Sequence, residues 1–157
     1  MAEKRKSQFI RPASVFSFAL AVLFIAASAL SAAAQASNIP VYKGFRGVVI
    51  GMAMDEAREK LGSPKDRSDE QDYFTFKDDE SAQVYYDSDK KVSAITVTFT
   101  GKLSVAPSAK TVFGEDVEAK PDGGVFKMVR YPKAGYWISY NKLVGDDPMI
   151  MIAIKKL

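Results

Sequence analysis

A short basic segment followed by a long uncharged run opens the chain. Four basic residues lie within residues 1–11, and residues 12–34 carry no charge. The run ends in an Ala-Gln-Ala triplet at residues 34–36, the small-x-small pattern that signal peptidases cleave. The pattern predicts a signal peptide over residues 1–36, cleavage before Ser37, and a periplasmic or secreted protein.

An uncleaved transmembrane anchor is the alternative for this segment, because about 20 uncharged residues suffice to span a bilayer. The second half of the run consists mostly of Ala and Ser, which are weakly apolar and favour cleavage. If the leader is cleaved, we expect no stable membrane anchor.

After the predicted signal peptide, apolar residues first recur at helical spacing and then alternate with polar residues as in strands. Met54, Ala57 and Leu61 have helical spacing, and Gly62 with Pro64 marks the end of a short amphipathic helix. β-branched and aromatic segments separated by short turns then predict three antiparallel strands, at residues 73–76, 82–86 and 92–99. In the third strand, apolar residues alternate with threonines, so one face should be buried.

The second half of the chain resembles the first. Residues 108–114 match residues 56–62, Phe126 aligns with Phe74, residues 138–141 match residues 84–87, and Ile150, Ile152 and Ile154 align with Ile95, Val97 and Phe99. This order favours repeats over residues 48–101 and 106–157, although amphipathic strands also resemble one another by chance. We predict a single α+β domain over residues 37–157, with one or two short helices packed on an antiparallel sheet of about six strands.

Charge and composition restrict the function classes. The leader holds four of the 22 basic residues and one of the 19 acidic residues, so the remaining chain carries 18 of each and gives no support for nucleic-acid binding. The chain contains neither cysteine nor histidine. Thiol chemistry and the commonest general base are therefore excluded, and we predict no cofactor.

Several local motifs together resemble a known family. Ile50-Gly51-Met52 precedes the predicted helix, residues 61–64 read Leu-Gly-Ser-Pro, and a strand ends in Tyr85-Tyr86-Asp87. This order resembles the SmpA/OmlA-like family, which includes the small lipoprotein of the outer-membrane β-barrel assembly machine. The same unit in tandem is similar to the fold of the β-lactamase inhibitor protein. The resemblance implies a helical segment on an antiparallel sheet and binding to proteins rather than catalysis.

The chain departs from that family at two positions. No lipid-attachment cysteine follows the leader, and Ala53 stands where a capping Thr or Ser is usual.

The acidic residues assign no catalytic or metal site. Asp87-Ser88-Asp89 lacks the further ligands of an EF-type calcium loop, and the Asp146-Asp147-Pro148 segment reads as a turn. Catalysis by paired carboxylates stays open as an alternative, since any two acids can meet in space.

The candidate binding residues are aromatic and apolar. If Ile138 and Tyr140 point toward the helices, alternation turns Trp137 to the other face. The same reasoning predicts an exposed patch of Trp137, Met149, Met151, Val129, Tyr131 and Tyr85, with Phe126 and Met128 pointing inward. The alternative is that residues 39–49 fold back over this face.

These patterns favour a non-catalytic, exported binding module that engages another envelope or secreted protein through an open sheet face. The alternatives are a small secreted hydrolase using paired carboxylates and a structural domain that binds itself.

Overall fold

A computed structural model describes residues 39–157, which form one compact unit. The signal peptide predicted over residues 1–36 lies outside the described residues. Within the described range, no helix is both long and apolar enough to cross a bilayer.

An antiparallel sheet of seven strands dominates the structure, in the order β3-β4-β5-β6-β9-β8-β7. Its strands are β3 (Asp66–Arg67), β4 (Gln71–Lys77), β5 (Glu80–Tyr86), β6 (Val92–Thr100), β7 (Val125–Tyr131), β8 (Tyr136–Leu143) and β9 (Met149–Lys156). A separate two-stranded ribbon is formed by β1 (Gly44–Phe45) and β2 (Val48–Val49). The helices are α1 (Met54–Leu61) and α2 (Ala109–Phe113), with a 3-10 turn at Leu103–Val105.

The predicted α+β class with about six strands is wrong, because the described chain is mostly β and its main sheet has seven strands. Helix α2 spans only five residues, since β-branched Thr111 and Val112 and aromatic Phe113 favour helix weakly. The additional strand, β3, consists of Asp66 and Arg67, which carry no strand-like pattern and pair with the edge of β4.

Helix α1 agrees with the sequence prediction. Asp55 and Glu56 lie in its first turn, where they complement the helix dipole, and Ala53 occupies the N-cap without a side-chain hydrogen bond. Gly62 ends the helix with a φ of 85°, and its N–H donates to the Arg58 carbonyl at 2.8 Å. The helix buries Ala57 against the sheet, so its one small apolar residue sets how closely it approaches.

All these smaller elements contribute to one core on one face of the sheet. Ile95, Val97 and Phe99 are buried there, which confirms the predicted alternation along β6. The ribbon adds Phe45 and Val48 to the same cluster, and α2 adds Val112 and Phe113. The alternative in which residues 39–49 cover the opposite face is therefore wrong.

The sheet has an approximate internal two-fold symmetry. A helix and a three-stranded antiparallel unit occur twice, as β4-β5-β6 and β7-β8-β9, and the first half has β3 in addition. The innermost strands of the two units, β6 and β9, pair with each other. Val97 lies opposite Ile152, Ile95 opposite Ile154, and Phe99 opposite Ile150. Val97 and Ile152, which the 55-residue offset of the repeat aligns, therefore face each other at the centre of the sheet. Duplication as the origin of the repeat stays a prediction.

One alignment in that repeat is wrong. Phe74 is 1% exposed, whereas Phe126 is 56% exposed. Tyr131, opposite Tyr136 near the start of β8, takes the place that Phe74 has opposite Ala82 near the start of β5. Tyr131 lies five residues beyond Phe126, and an odd shift moves every side chain of a strand to the other face.

Candidate functional site

The candidate site is the face of the sheet that carries no helix, which we call the open face. Its first half is mostly polar, and Gln83 donates a 3.0 Å hydrogen bond to Gln71 there. Its second half is largely apolar: Phe126 is 56% exposed, Met128 54%, and Met151 37%. The open-face side chains of the central strand β6 are small: Ala94, Thr96 and Thr98.

Four of the six predicted binding residues lie on the open face: Trp137, Tyr85, Met149 and Met151. The other two predictions, Val129 and Tyr131, are wrong. Tyr131 is 3% exposed and belongs to the core, and Val129 packs against that core opposite Ile138.

Phe126, Met128 and Arg130 are the open-face residues that the sequence pattern missed on β7. Phe126 and Met128 were predicted to point inward, in the phase opposite to the observed one. The β7–β8 hairpin could have given the correct phase of β7. Pairing Tyr131 with Tyr136 places Arg130 opposite Trp137, and therefore on the open face.

A depression of about 900 Å³ lies at one end of the open face. Ala94 is flanked on the neighbouring strands by Tyr85 and Lys155, and Lys155 in turn faces Trp137. Ala94 and Ala153 are small and form the floor, whereas the two aromatic residues lie three strands apart, or roughly 14 Å. The width suits an extended segment or a group of side chains rather than one small ion.

Acidic and basic side chains both border the depression. Asp69 pairs with Lys90 at 3.1 Å, and Asp87 pairs with Lys156 at 3.1 Å. The other oxygen of Asp87 accepts the N–H groups of Asp89 and Lys91 at 3.1 and 3.0 Å. The Lys91 hydrogen bond, followed by that from Lys156, lowers the pKa of Asp87. Asp87 therefore holds the β5–β6 hairpin together.

Among residues 39–157, no group of three or more His, Cys, Asp or Glu side chains is placed to hold a metal ion.

A buried ion pair between Arg58 and Asp72 lies next to Tyr86. Arg58 of α1 donates from Nε to Oδ2 of Asp72 at 2.7 Å and from Nη2 to Oδ1 at 2.9 Å, while the Tyr86 hydroxyl donates to Oδ2 at 2.7 Å. Burial of Asp72 opposes ionisation, but the hydrogen bonds from Arg58 and Tyr86 outweigh it and lower the pKa of Asp72. Burial and the adjacent Asp72 raise the pKa of Tyr86.

This ion pair is a structural link between α1 and the sheet. Asp72 is 0% exposed and accepts three side-chain hydrogen bonds. Among the described residues, no buried side-chain nitrogen or oxygen is left without a partner. Because both oxygens of the Asp72 carboxylate already accept hydrogen bonds and solvent does not reach them, this carboxylate is not positioned as a general base.

Neither a family model nor a curated protein matches the chain. A solved structure with a similar chain path is that of a DUF4309 family protein, YjgB, from Bacillus subtilis subsp. subtilis str. 168. The two chains are 12% identical with a TM-score of 0.46, over 71% of this chain and 84% of the other. Nothing in these comparisons points to a catalytic activity. The resemblance to the SmpA/OmlA-like family stays a prediction.

Proposed function

We propose that this chain is a non-catalytic, exported binding module that engages an envelope or secreted protein through the open face of its sheet. The observation that carries the proposal is the cluster of exposed apolar side chains on the second half of that face. Phe126, Met128 and Met151 are each more than a third exposed, although the core on the other face is well filled. Exposed apolar groups concentrated on one surface are typical of interaction sites.

The geometry of the cluster favours a protein partner over a small molecule. Phe126 and Met151 both flank Asn141, one strand to either side, so their backbone positions lie roughly 10 Å apart. Methionine adapts its shape to a partner, and aromatic side chains supply large contact areas. A surface of this breadth fits the residues of a protein better than one compact ligand.

Charge around the only tryptophan indicates the chemistry of the partner. Trp137 lies between Arg130 of β7 and Lys155 of β9 in one cross-strand row. Neither cation has an ion-pair partner among the described residues. The best complement is an apolar group that covers Trp137, with carboxylates at its margin that pair with the two cations.

The test is capture of envelope proteins by the immobilised chain, compared between the wild type and Trp137→Ala. Loss of a central aromatic contact should weaken capture about 30-fold, which corresponds to about 2 kcal/mol. The half-buried position of Trp137 should limit the loss of folding stability to about 1 kcal/mol. Unchanged capture by the variant, or a loss of about 3 kcal/mol as for a buried aromatic, would remove Trp137 from the binding surface.

A further inference from the structure

The two edges of the main sheet are built differently. The edge strand β3 has only two residues, Asp66 and Arg67, and both are exposed and charged. Short, charged edge strands discourage pairing with other chains. The opposite edge, β7, has seven residues, contains no proline, and pairs with β8 without a bulge. It carries the charges of Lys127 and Arg130, but it lacks three devices that prevent strand addition, namely short length, proline and a bulge.

The internal symmetry shows what is missing at this edge. Strand β7 has the place in the second half that β4 has in the first, and β3 pairs with the outer side of β4 at Asp72 and Tyr73. No strand of the described chain pairs with the outer side of β7. Within residues 39–157, its backbone hydrogen bonds go to β8 and to the turn after Tyr131. A position that is filled in the first half is thus vacant in the second.

We propose that β7 of a second copy of this chain fills that position, forming a two-fold dimer in which the two sheets continue into one. In a symmetric antiparallel pair, one residue faces its own counterpart, and the other residues pair at equal distances on either side of it. Met128 is the middle residue of Val125–Tyr131, so a two-fold axis at Met128 pairs all seven residues of each strand.

Side-chain chemistry favours this register. Phe126 faces Arg130 of the second copy, an arrangement that permits a cation–π contact, and Met128 faces Met128. Lys127 faces Val129 of the second copy, so no two cations lie directly opposite each other. A shift of the axis to Lys127 would place two lysines face to face, which is unfavourable.

Single-cysteine variants of the full chain, purified in the form the cell exports, test the register. The chain contains no cysteine, so any disulfide comes from the introduced residue. Met128→Cys should cross-link to a dimer upon oxidation, because its counterpart is directly opposite. Phe126→Cys is the control: its counterpart lies four residues along the strand, about 14 Å away, which is too far for a disulfide.

Sedimentation equilibrium tests the dimer itself. The wild type should show twice the mass of one chain, Met128→Lys should show the mass of one chain, and Met151→Lys, on an inner strand, should remain a dimer. A wild type that remains monomeric while Met128→Cys gives no cross-link would overturn the proposal. Equal cross-linking of the two cysteine variants would overturn it as well, because it would indicate random collision.

Discussion

Val97 of β6 and Ile152 of β9 lie directly opposite each other at the centre of the seven-stranded sheet, with exposures of 1% and 0%. Their pairing joins the two halves of the chain through a single core. Each half buries its innermost strand against that of the other, so neither half-sheet has a complete core by itself. The same relationship makes β4 and β7 equivalent and reveals that only one of them is covered at its outer side.

Alanine substitutions at two phenylalanines test the strand phase of β7. Phe74→Ala should lower the free energy of unfolding by about 3–5 kcal/mol, because the side chain is fully buried. Phe126→Ala should change it by less than about 0.5 kcal/mol, because the side chain lies on the open face. Urea denaturation of both variants measures the difference. Similar losses for the two would restore the alignment that the sequence repeat suggested.

The parts of the fold that follow from local patterns could be predicted from the sequence. Helix α1, its end at Gly62 and the buried alternation of Ile95, Val97 and Phe99 depend on nearby residues, and the structure confirms them. The phase of β7 depends on its pairing with β8, which the repeat offset did not determine. The face on which Trp137 lies could be predicted, because its neighbours Ile138 and Tyr140 both point into the core.

Contacts between distant residues could not be predicted in the same way. The ion pair of Arg58 and Asp72 joins a helix to a strand, and each residue looks like an ordinary surface charge in its own segment. Strand β3 is likewise defined by its hydrogen bonds to β4 and not by its own two charged residues. These features arise from the tertiary arrangement, which cannot be predicted from the spacing of apolar residues within one segment.

Removal of the buried carboxylate should be strongly destabilising. Asp72→Ala leaves the Arg58 guanidinium and the Tyr86 hydroxyl without their main partner, and breaking one side of such a pair typically costs about 3–5 kcal/mol. Asp55→Ala is the control, because Asp55 is 3.9 Å from Arg58 but 92% exposed. We expect less than about 0.5 kcal/mol there. Chemical denaturation that gives equal losses would contradict a structural role for Asp72.

The lowered pKa of Asp72 predicts a loss of stability in acid. Its ordinary value is 3.8, and the folded state holds it lower, so the unfolded chain takes up the proton first as the pH falls. The stabilisation is thus present above pH 3.8 and is lost as the pH falls through the folded-state pKa.

Denaturation curves between about pH 5 and pH 2 measure this loss. The wild type should lose more stability over that range than Asp72→Asn, which cannot titrate at this position. Asp87 also has a lowered pKa, so Asp87→Asn serves as the comparison for a more accessible carboxylate. If Asp72→Asn shows the full acid loss of the wild type, the buried ion pair is not its source.

The open face as the binding surface is the central claim, and a matched pair of charge substitutions tests it most directly. Met151 on the open face and Val49 on the ribbon are 37% and 39% exposed, and both belong to strands. The measurement is the strength with which immobilised Met151→Asp and Val49→Asp retain envelope proteins, with unfolding curves recorded for both. We predict at least a tenfold loss for Met151→Asp, wild-type retention for Val49→Asp, and similar stabilities. Equal retention by the two variants would contradict the claim.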